Sequence, residues 1–106
     1  MILISFGTRP EFIKIKPLIE AFKDKIPFKL LFTGQHVDLL SSVEGDIHKL
    51  KIEDGANRLD SIVSSVMNND SIFEDVNAVL VQGDTTSVFA VALAAFHRKI
   101  KIIHLE

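Results

Sequence analysis

The sequence has no cysteine, no tryptophan and no tyrosine, and its aromatic residues are eight phenylalanines. The lack of cysteine excludes disulfide bonds, thiolate metal sites and a cysteine nucleophile. We expect the phenylalanine rings to fill the core rather than to form a stacking surface for a ligand.

The sequence also has little net charge, no long hydrophobic run and no pattern of metal ligands. The formal net charge is −2 over 106 residues, which argues against a general nucleic-acid-binding protein. The longest apolar run, residues 88–96, is far too short to span a membrane, and residues 1–6 lack the basic flank and the length of a signal peptide. The four histidines lack the spacing of a metal site. We therefore expect a single-domain cytoplasmic protein without a metal.

The sequence does contain an alternation of short apolar runs with segments of helical spacing. The runs predict strands at residues 1–6, 28–32, 78–81 and 100–105, and residues 47–52 are ambiguous, with a short edge strand as one interpretation. The helical spacing predicts helices at residues 10–22, 35–43, 59–66 and 88–96.

This alternation is typical of an α/β protein with a doubly wound, Rossmann-like parallel sheet and right-handed crossovers. We expect residues 1–6 in the centre of the sheet, with residues 28–32 on one side and residues 78–81 on the other. The crossovers then diverge at the central pair and create a crevice at the carboxyl ends of the strands, where ligands bind. The last strand has no helix after it, so we expect an uncovered edge.

Two helices carry more specific predictions. Pro17 lies inside the first helix, but the apolar stripe continues past it, so we expect a kink there rather than a break. Residues 88–96 are apolar on every side and rich in alanine, which indicates a helix buried on more than one face.

Two polar loops follow the central strands. They are Gly7-Thr8-Arg9-Pro10-Glu11 after residues 1–6 and Gln82-Gly83-Asp84-Thr85-Thr86 after residues 78–81. Neither loop matches the dinucleotide fingerprint or the phosphate-binding P-loop. A loop needs neither an arginine nor carboxylates in order to turn. The pair therefore indicates a ligand site, and its residue types favour an anionic ligand.

The first loop has two interpretations. Arg9 beside a helix N-terminus, with Lys14 one turn further on, would favour an anion such as phosphate. Alternatively, Thr8 caps the helix and Glu11 complements its dipole, while Arg9 is merely solvated.

The second loop is equally open. Asp84 stands just before a helix, where capping is the ordinary role of an aspartate and is favoured by spacing alone. The functional alternative is a carboxylate held at a strand end as a general acid or base. Thr85 and Thr86 are either residues of the first helical turn or hydroxyl donors to a ligand.

Histidines and a terminal glutamate lie near the same predicted edge. Alternation along the last strand places His104 and Glu106 on one side, although a terminal glutamate is usually solvated. His36 follows another strand and could face the crevice. We expect His48 and His97 at the surface.

Four motifs occur in a family-specific order. They are Gly7-Thr8-Arg9-Pro10-Glu11 with Ile13-Lys14 and Pro17-Leu18-Ile19, then Thr33-Gly34-Gln35-His36, then Val81-Gln82-Gly83-Asp84-Thr85-Thr86, and finally His104-Leu105-Glu106. Together they resemble the amino-terminal part of the non-hydrolysing UDP-N-acetylglucosamine 2-epimerases. The resemblance covers the whole chain.

The resemblance implies a fold and an activity. Residues 1–106 would form an incomplete amino-terminal Rossmann-like domain of a two-domain, glycosyltransferase-B type fold, with the carboxy-terminal UDP-binding domain absent from this chain. Family members interconvert UDP-N-acetylglucosamine and UDP-N-acetylmannosamine for surface polysaccharides, without a cofactor, by C2 deprotonation and elimination and re-addition of UDP. The implied partner is a UDP-sugar, with neither nucleic acid nor membrane, and the full-length protein would be a homodimer. We expect the 106-residue chain alone to be inactive.

The resemblance also implies roles for individual residues. The active-site positions are Arg9, Lys14, Asp84 and Glu106. The implied substrate-binding residues are Gly7, Thr8, Arg9, Pro10, Glu11, Gln82, Gly83, Thr85 and Thr86. Gln35 and His36 match a segment that helps to bind a second, regulatory UDP-sugar in some bacterial members, although the following Val37-Asp38-Leu39 departs from their pattern.

Two alternatives stay open on the sequence. A hydrolysing relative, which releases UDP and free N-acetylmannosamine, shares these amino-terminal motifs. A non-catalytic half-domain that assembles through its uncovered last strand is the other.

Overall fold

A computed structural model describes residues 1–34, 47–52 and 57–106 of the chain. Its strands are β1 (Ile2–Phe6), β2 (Phe28–Phe32), β3 (Ile47–Lys49), β4 (Ala78–Gln82) and β5 (Lys101–Leu105). Its helices are α1 (Arg9–Phe22), α2 (Arg58–Met67) and α3 (Thr86–His97), and a 3₁₀ turn spans Asp70–Phe73. The helix predicted at residues 35–43 lies outside the described residues.

The five strands form one parallel sheet in the order β3-β2-β1-β4-β5. This confirms the prediction that β1 is central, with β2 on one side and β4 on the other. It also confirms the short edge strand, β3. The chain leaves β1 through α1 towards β2, and it leaves β4 through α3 towards β5. The crossovers diverge between β1 and β4, so a switch-point crevice lies at the carboxyl ends of these two strands.

Side chains alternate between the two faces of the sheet, and helices cover both faces. On one face α1 contributes Phe12 and Ile15 to a cluster with strand residues Ile4, Phe6, Leu30, Phe32 and Leu80. On the other face α2 and α3 pack on strand residues Leu3, Leu31, Val79 and Val81. The sheet is therefore the middle layer of three and holds the loops at its carboxyl edge in fixed positions.

Pro17 does not end α1, which continues to Phe22. The hydrogen bond that Pro17 removes lies on the exposed side of the helix. Pro17 is exposed, and Ile13, whose carbonyl loses its helical partner, is 60% exposed. Water can satisfy this carbonyl, so the helix tolerates the proline.

α3 packs on both the sheet and α2, which confirms the prediction that it is buried on more than one face, but its two aromatic residues are exposed. Its small residues Ala90, Ala94 and Ala95 are fully buried, because they allow close approach to the sheet and to α2. Phe89 and Phe96, in contrast, are 58% and 70% exposed. The alanine face packs, and the phenylalanine face lies at the surface.

Arg98, which follows α3, joins the ends of two helices. Its Nη1 donates to the carbonyl oxygen of Ala94 at 3.1 Å, and its Nη2 donates to that of Met67 at 3.0 Å. Nη2 also contacts Asp70 Oδ1 at 2.5 Å, and the guanidinium lies 4.6 Å from the centre of the Phe73 ring. A cation at two helix C-termini is favourable, so Arg98 fixes α2 against α3.

The last strand, β5, lies at an edge of the sheet, and among the described residues no strand or helix covers that edge, as predicted. Lys101 to His104 are exposed, and Ile102 and Ile103 point to opposite faces with 42% and 39% of their surface accessible. No helix in the described ranges is both long enough and apolar enough to cross a bilayer.

Candidate functional site

The loops that follow β1 and β2 touch each other through their backbones. Thr33 N–H donates to the carbonyl oxygen of Phe6 at 2.9 Å. A β-carbon placed on Gly34 would lie only 2.1 Å from the carbonyl oxygen of Gly7. Only glycine allows this approach, and it brings two loops to one point at the carboxyl edge of the sheet.

A cavity of about 370 Å³ opens at this edge. Five of its lining residues carry hydroxyl groups: Thr8, Thr33, Thr85, Thr86 and Ser87. Arg58, the first residue of α2, and the apolar side chains of Leu59 and Ile62 complete one wall. A cavity lined by hydroxyl groups together with apolar side chains is suited to a polar, sugar-like ligand.

Sequence reasoning missed Arg58, Ser87 and Thr33 as residues of this cavity. A signal for Arg58 existed, because Asn57 before it is a typical N-cap and marks the start of α2. Its Oδ1 accepts a hydrogen bond from Leu59 N–H at 2.9 Å. The position of the start of α2, beside the loop after β1, depends on how the chain crosses the sheet. The local sequence does not specify that crossing.

Three helices begin at the cavity, and their N-terminal N–H groups favour negative charge there. Thr8 caps α1, since its Oγ1 accepts from Glu11 N–H at 3.3 Å, which confirms the capping role expected of Thr8. The N-cap of α3 is Thr85, so the prediction that Asp84 caps this helix is wrong. The helix begins at Thr86, two residues before the start that the spacing predicted, and Asp84 lies in the loop before its N-cap.

The four residues expected at the active site all lie on the surface. Arg9 is the first residue of α1, and Lys14 lies one turn further along it. Asp84 stands in the loop after β4, and Glu106 follows β5. Among the residues that the structure describes, none of these four lines the cavity, but Thr8 and Thr85, the neighbours of Arg9 and Asp84, do. Because β1 and β4 are adjacent, Arg9 at the start of α1 and Asp84 in the loop after β4 follow neighbouring strands.

Glu11 connects these two loops. It is only 4% exposed. Its Oε1 accepts from Gly7 N–H at 2.8 Å, and its Oε2 accepts from the Thr85 hydroxyl at 2.9 Å. The carboxylate therefore links the loop after β1 to the loop after β4. The sequence predicted only that Glu11 complements the helix dipole or contacts substrate.

The loop after β4 is also fixed from the side of β5. Gly83 has φ +93°, a left-handed conformation that favours glycine. Its N–H donates to the carbonyl oxygen of Leu105 at 3.0 Å. His104 Nε2 lies 2.7 Å from the carbonyl oxygen of Gly83, and because a carbonyl only accepts, this nitrogen must carry the donated proton.

The remaining predicted residues are placed as follows. Gln82 ends β4 and is buried, and Pro10 is exposed in the first turn of α1. His48 and His97 are exposed, as predicted. Gln35 and His36, the expected regulatory segment, lie outside the described residues.

Known proteins with similar sequences share one description. Residues 20–106 match the family model described as UDP-N-acetylglucosamine 2-epimerase. The UDP-N-acetylglucosamine 2-epimerase of Salmonella borreze is 40% identical over 116 aligned positions, which include 99% of this chain and 30% of that protein. The one of Campylobacter jejuni is 36% identical over 115 positions, with the same shares. The chain thus spans about 30% of the length of these relatives.

Solved structures give the same result. The UDP-GlcNAc 2-epimerase from Neisseria meningitidis bound to UDP-GlcNAc superposes with a TM-score of 0.85 and 35% identity, over 99% of this chain and 32% of that one. The Methanocaldococcus jannaschii UDP-GlcNAc 2-epimerase in complex with UDP-GlcNAc and UDP gives a TM-score of 0.80 at 30% identity, with equal coverage.

Proposed function

This chain belongs to the UDP-N-acetylglucosamine 2-epimerase family, and we propose that it is the amino-terminal part of an isomerase that interconverts UDP-N-acetylglucosamine and UDP-N-acetylmannosamine. The observation that carries the proposal is the placement of Arg9 and Asp84. They follow neighbouring strands, at the edge of the sheet where the described helices α1, α2 and α3 begin around one cavity. Arg9 would stabilise the UDP leaving group and Asp84 would move a proton, and this reaction needs both roles.

The reaction would proceed by elimination and re-addition. A base removes the proton on C2, the C–H electron pair forms a C1=C2 double bond, and the bond from C1 to the UDP oxygen breaks. UDP leaves as an anion, and 2-acetamidoglucal remains. Re-addition of UDP and return of a proton to the opposite face of C2 give the epimer. This sequence needs two acid/base groups, for which Asp84 and Glu106 are the candidates in this chain.

The cations would act on the leaving group. Negative charge grows on the pyrophosphate as the C1–O bond breaks, and Arg9 and Lys14, held on the rigid helix α1, would stabilise it. Of the surrounding residues, Gly7, Thr8, Pro10, Gln82, Gly83 and Thr86 would form the sugar subsite, and Glu11 and Thr85, whose side chains are bonded to each other, would support it. We further propose that a second domain, as in a protein of the relatives' length, supplies most contacts to UDP, and that the complete protein is a cytoplasmic homodimer.

The first experiment uses the 106-residue chain alone. The purified chain is incubated in D₂O with UDP-N-acetylglucosamine, and deuterium at C2 is followed by proton NMR. We expect no exchange above the enzyme-free control, because the UDP contacts of the second domain are lacking. Exchange catalysed by the chain alone would contradict the proposed division of the site between two domains.

The second experiment uses the longest natural polypeptide that carries these 106 residues. We expect Asp84→Asn to lower kcat by about 10²–10⁴-fold, the usual contribution of a general acid or base. The free energy of unfolding should change by less than about 0.5 kcal/mol, because Asp84 is exposed and is not the N-cap of α3. Asp75→Asn is the matched control, since Asp75 is exposed and precedes β4 at its other end. Equal activity of the two variants would exclude Asp84 from the chemistry.

The products of the same polypeptide separate the two enzyme types. An epimerase of the non-hydrolysing type converts one UDP-sugar into the other, so the UDP-sugar concentration stays constant. A hydrolysing enzyme releases UDP and free N-acetylmannosamine. Anion-exchange chromatography of the reaction mixture distinguishes the two results.

The exposed edge supports a second candidate function, a non-catalytic module that assembles through β5. Ile102 and Ile103 leave apolar surface on both faces of an unpaired edge, which is suited to pairing with another strand. Light scattering of the 106-residue chain tests this candidate. A stable monomer at high protein concentration would exclude it.

A further inference from the structure

Glu11 is bonded to the loop after β4 at the residue next to Asp84. Its Oε2 accepts from the hydroxyl of Thr85, the residue after Asp84, at 2.9 Å. A β-carbon placed on Gly83, the residue before Asp84, would lie 3.9 Å from Glu11 Cγ. The side chain of Glu11 thus lies along the loop that presents Asp84 to solvent.

The contact is built from buried groups. Glu11 is only 4% exposed, and its other oxygen, Oε1, accepts a hydrogen bond from Gly7 N–H at 2.8 Å. A buried carboxylate with two donors is strongly oriented, because any rotation leaves an oxygen without a partner. Little of its surface is left for a ligand, whereas its effect on the loop is direct.

A simple capping role does not explain this arrangement. In a capping box, the glutamate three residues after the N-cap turns back to the N–H of the N-cap residue itself. Here Glu11 reaches past Thr8 to Gly7, and its second oxygen goes to a residue 74 positions away. The Thr85 hydroxyl donates a hydrogen bond to Glu11, and within the described part of the chain Thr85 forms no side-chain cap on α3.

We propose that Glu11 is a positioning residue that sets the backbone of Asp84 through Thr85. His104 and Leu105 hold Gly83 from the side of β5, so the residues before and after Asp84 are both bonded to neighbouring elements. This inference rests on the proposed function, in which Asp84 is an acid/base group. Misplacement of such a group by about 1 Å lowers the rate of the chemical step by about 10²-fold.

The kinetic test compares Thr85→Val with Thr85→Ser in the longest natural polypeptide that carries this chain. Valine has the shape of threonine but no hydroxyl, and it removes no helix cap, since Thr85 provides none. We expect Thr85→Val to lower kcat by about tenfold or more, with KM changed by less than about threefold. Serine keeps the hydroxyl and should restore kcat to within about threefold of the parent. A loss confined to KM would overturn the proposal, because it indicates a ground-state contact with substrate.

A double-mutant cycle separates positioning from direct contact, because Thr85 also lines the cavity. If Thr85 acts through Glu11, then Glu11→Ala combined with Thr85→Val lowers kcat no further than the worse single variant. If the two losses multiply, Thr85 contacts substrate independently and the proposal fails. Glu20→Gln is the control for a lost carboxylate on the same helix, since Glu20 is exposed on α1. We expect its kcat to equal that of the parent.

A ligand-free measurement keeps this inference separate from the proposed function. In the 106-residue chain, the ¹H–¹⁵N amide signals of Gly83 and Asp84 should shift by more than their line widths in Thr85→Val and not in Thr85→Ser or Glu20→Gln. Unchanged signals in Thr85→Val would overturn the positioning role, whether or not the protein is active. If these signals shift but the parent polypeptide does not turn over UDP-sugars, the proposed function fails, and with it the claim that Asp84 is positioned for this reaction.

Discussion

Gly34→Ala tests the convergence of the loops, on which the whole candidate site depends. The added β-carbon would lie 2.1 Å from the carbonyl oxygen of Gly7, where ordinary contact begins at 3.4 Å. It would also lie 2.9 Å from the carbonyl carbon of Gly7. Both atoms belong to the backbone of the loop after β1, so no side chain can rotate away. The two loops must separate, or the variant must unfold.

The expected cost is at the upper end of the range for overpacking, about 3 kcal/mol. For a domain of this size, with a urea m-value of about 1.5 kcal/mol/M, this lowers the unfolding midpoint by about 2 M. Urea denaturation followed by circular dichroism measures the change, and an unchanged m-value shows that the folded and unfolded states are otherwise the same.

Gly83→Ala is the matched control for this experiment. Gly83 has φ +93°, but the nearest atom to an added β-carbon is Glu11 Cγ at 3.9 Å, so the substitution costs backbone strain without a clash. That strain is about 1–2 kcal/mol. We therefore expect Gly34→Ala to be the less stable of the two variants. If Gly34→Ala is as stable as the parent, or more stable than Gly83→Ala, the loops do not approach as described and the cavity between them is not formed.

Two further predictions concern stability, and the same urea titration measures both. Arg98→Leu should lower the free energy of unfolding by about 2–3 kcal/mol, since it removes charge-assisted hydrogen bonds to the carbonyls of Met67 and Ala94. Asp70→Asn should lower it by no more than about 1 kcal/mol, because the Asp70 side chain is 89% exposed. Equal losses from the two variants would mean that the ion pair, and not the carbonyl contacts, holds α2 against α3. Asn57→Ala should cost about 1 kcal/mol, since Asn57 caps α2 through Leu59 N–H and Asp60 N–H, and no loss would contradict that cap.

The strands could be predicted from the sequence because buried parallel strands are continuous apolar runs. β2 has the ends that were predicted, and β4 extends by one residue, to the buried Gln82. The order of the strands followed from connection rules alone. The 3₁₀ turn Asp70–Phe73 was not predicted, because four residues are too few to show a periodicity.

The exposure of α3 could not be predicted from its own residues. An apolar helix is usually buried all round, and the sequence of α3 shows no polar stripe to contradict this. Which side faces solvent is decided by what lies beyond the sheet and α2. In this chain nothing described covers Phe89 and Phe96, so they are exposed although their residue type is typical of a core.

The error at Asp84 and the omission at Glu11 have one physical cause. Local spacing assigns the cap of α3 to the nearest suitable side chain, but the hydroxyl at the true N-cap, Thr85, is bonded to Glu11 across the sheet. A lost cap costs about 1 kcal/mol, and the bond to a charged, buried carboxylate contributes about 1.5–3 kcal/mol, so the long-range contact prevails. This bond requires β1 and β4 to be neighbours, which is a property of the sheet and not of either loop. Local rules of helix capping therefore fail at the point where two distant loops are held together, and that point is the candidate site.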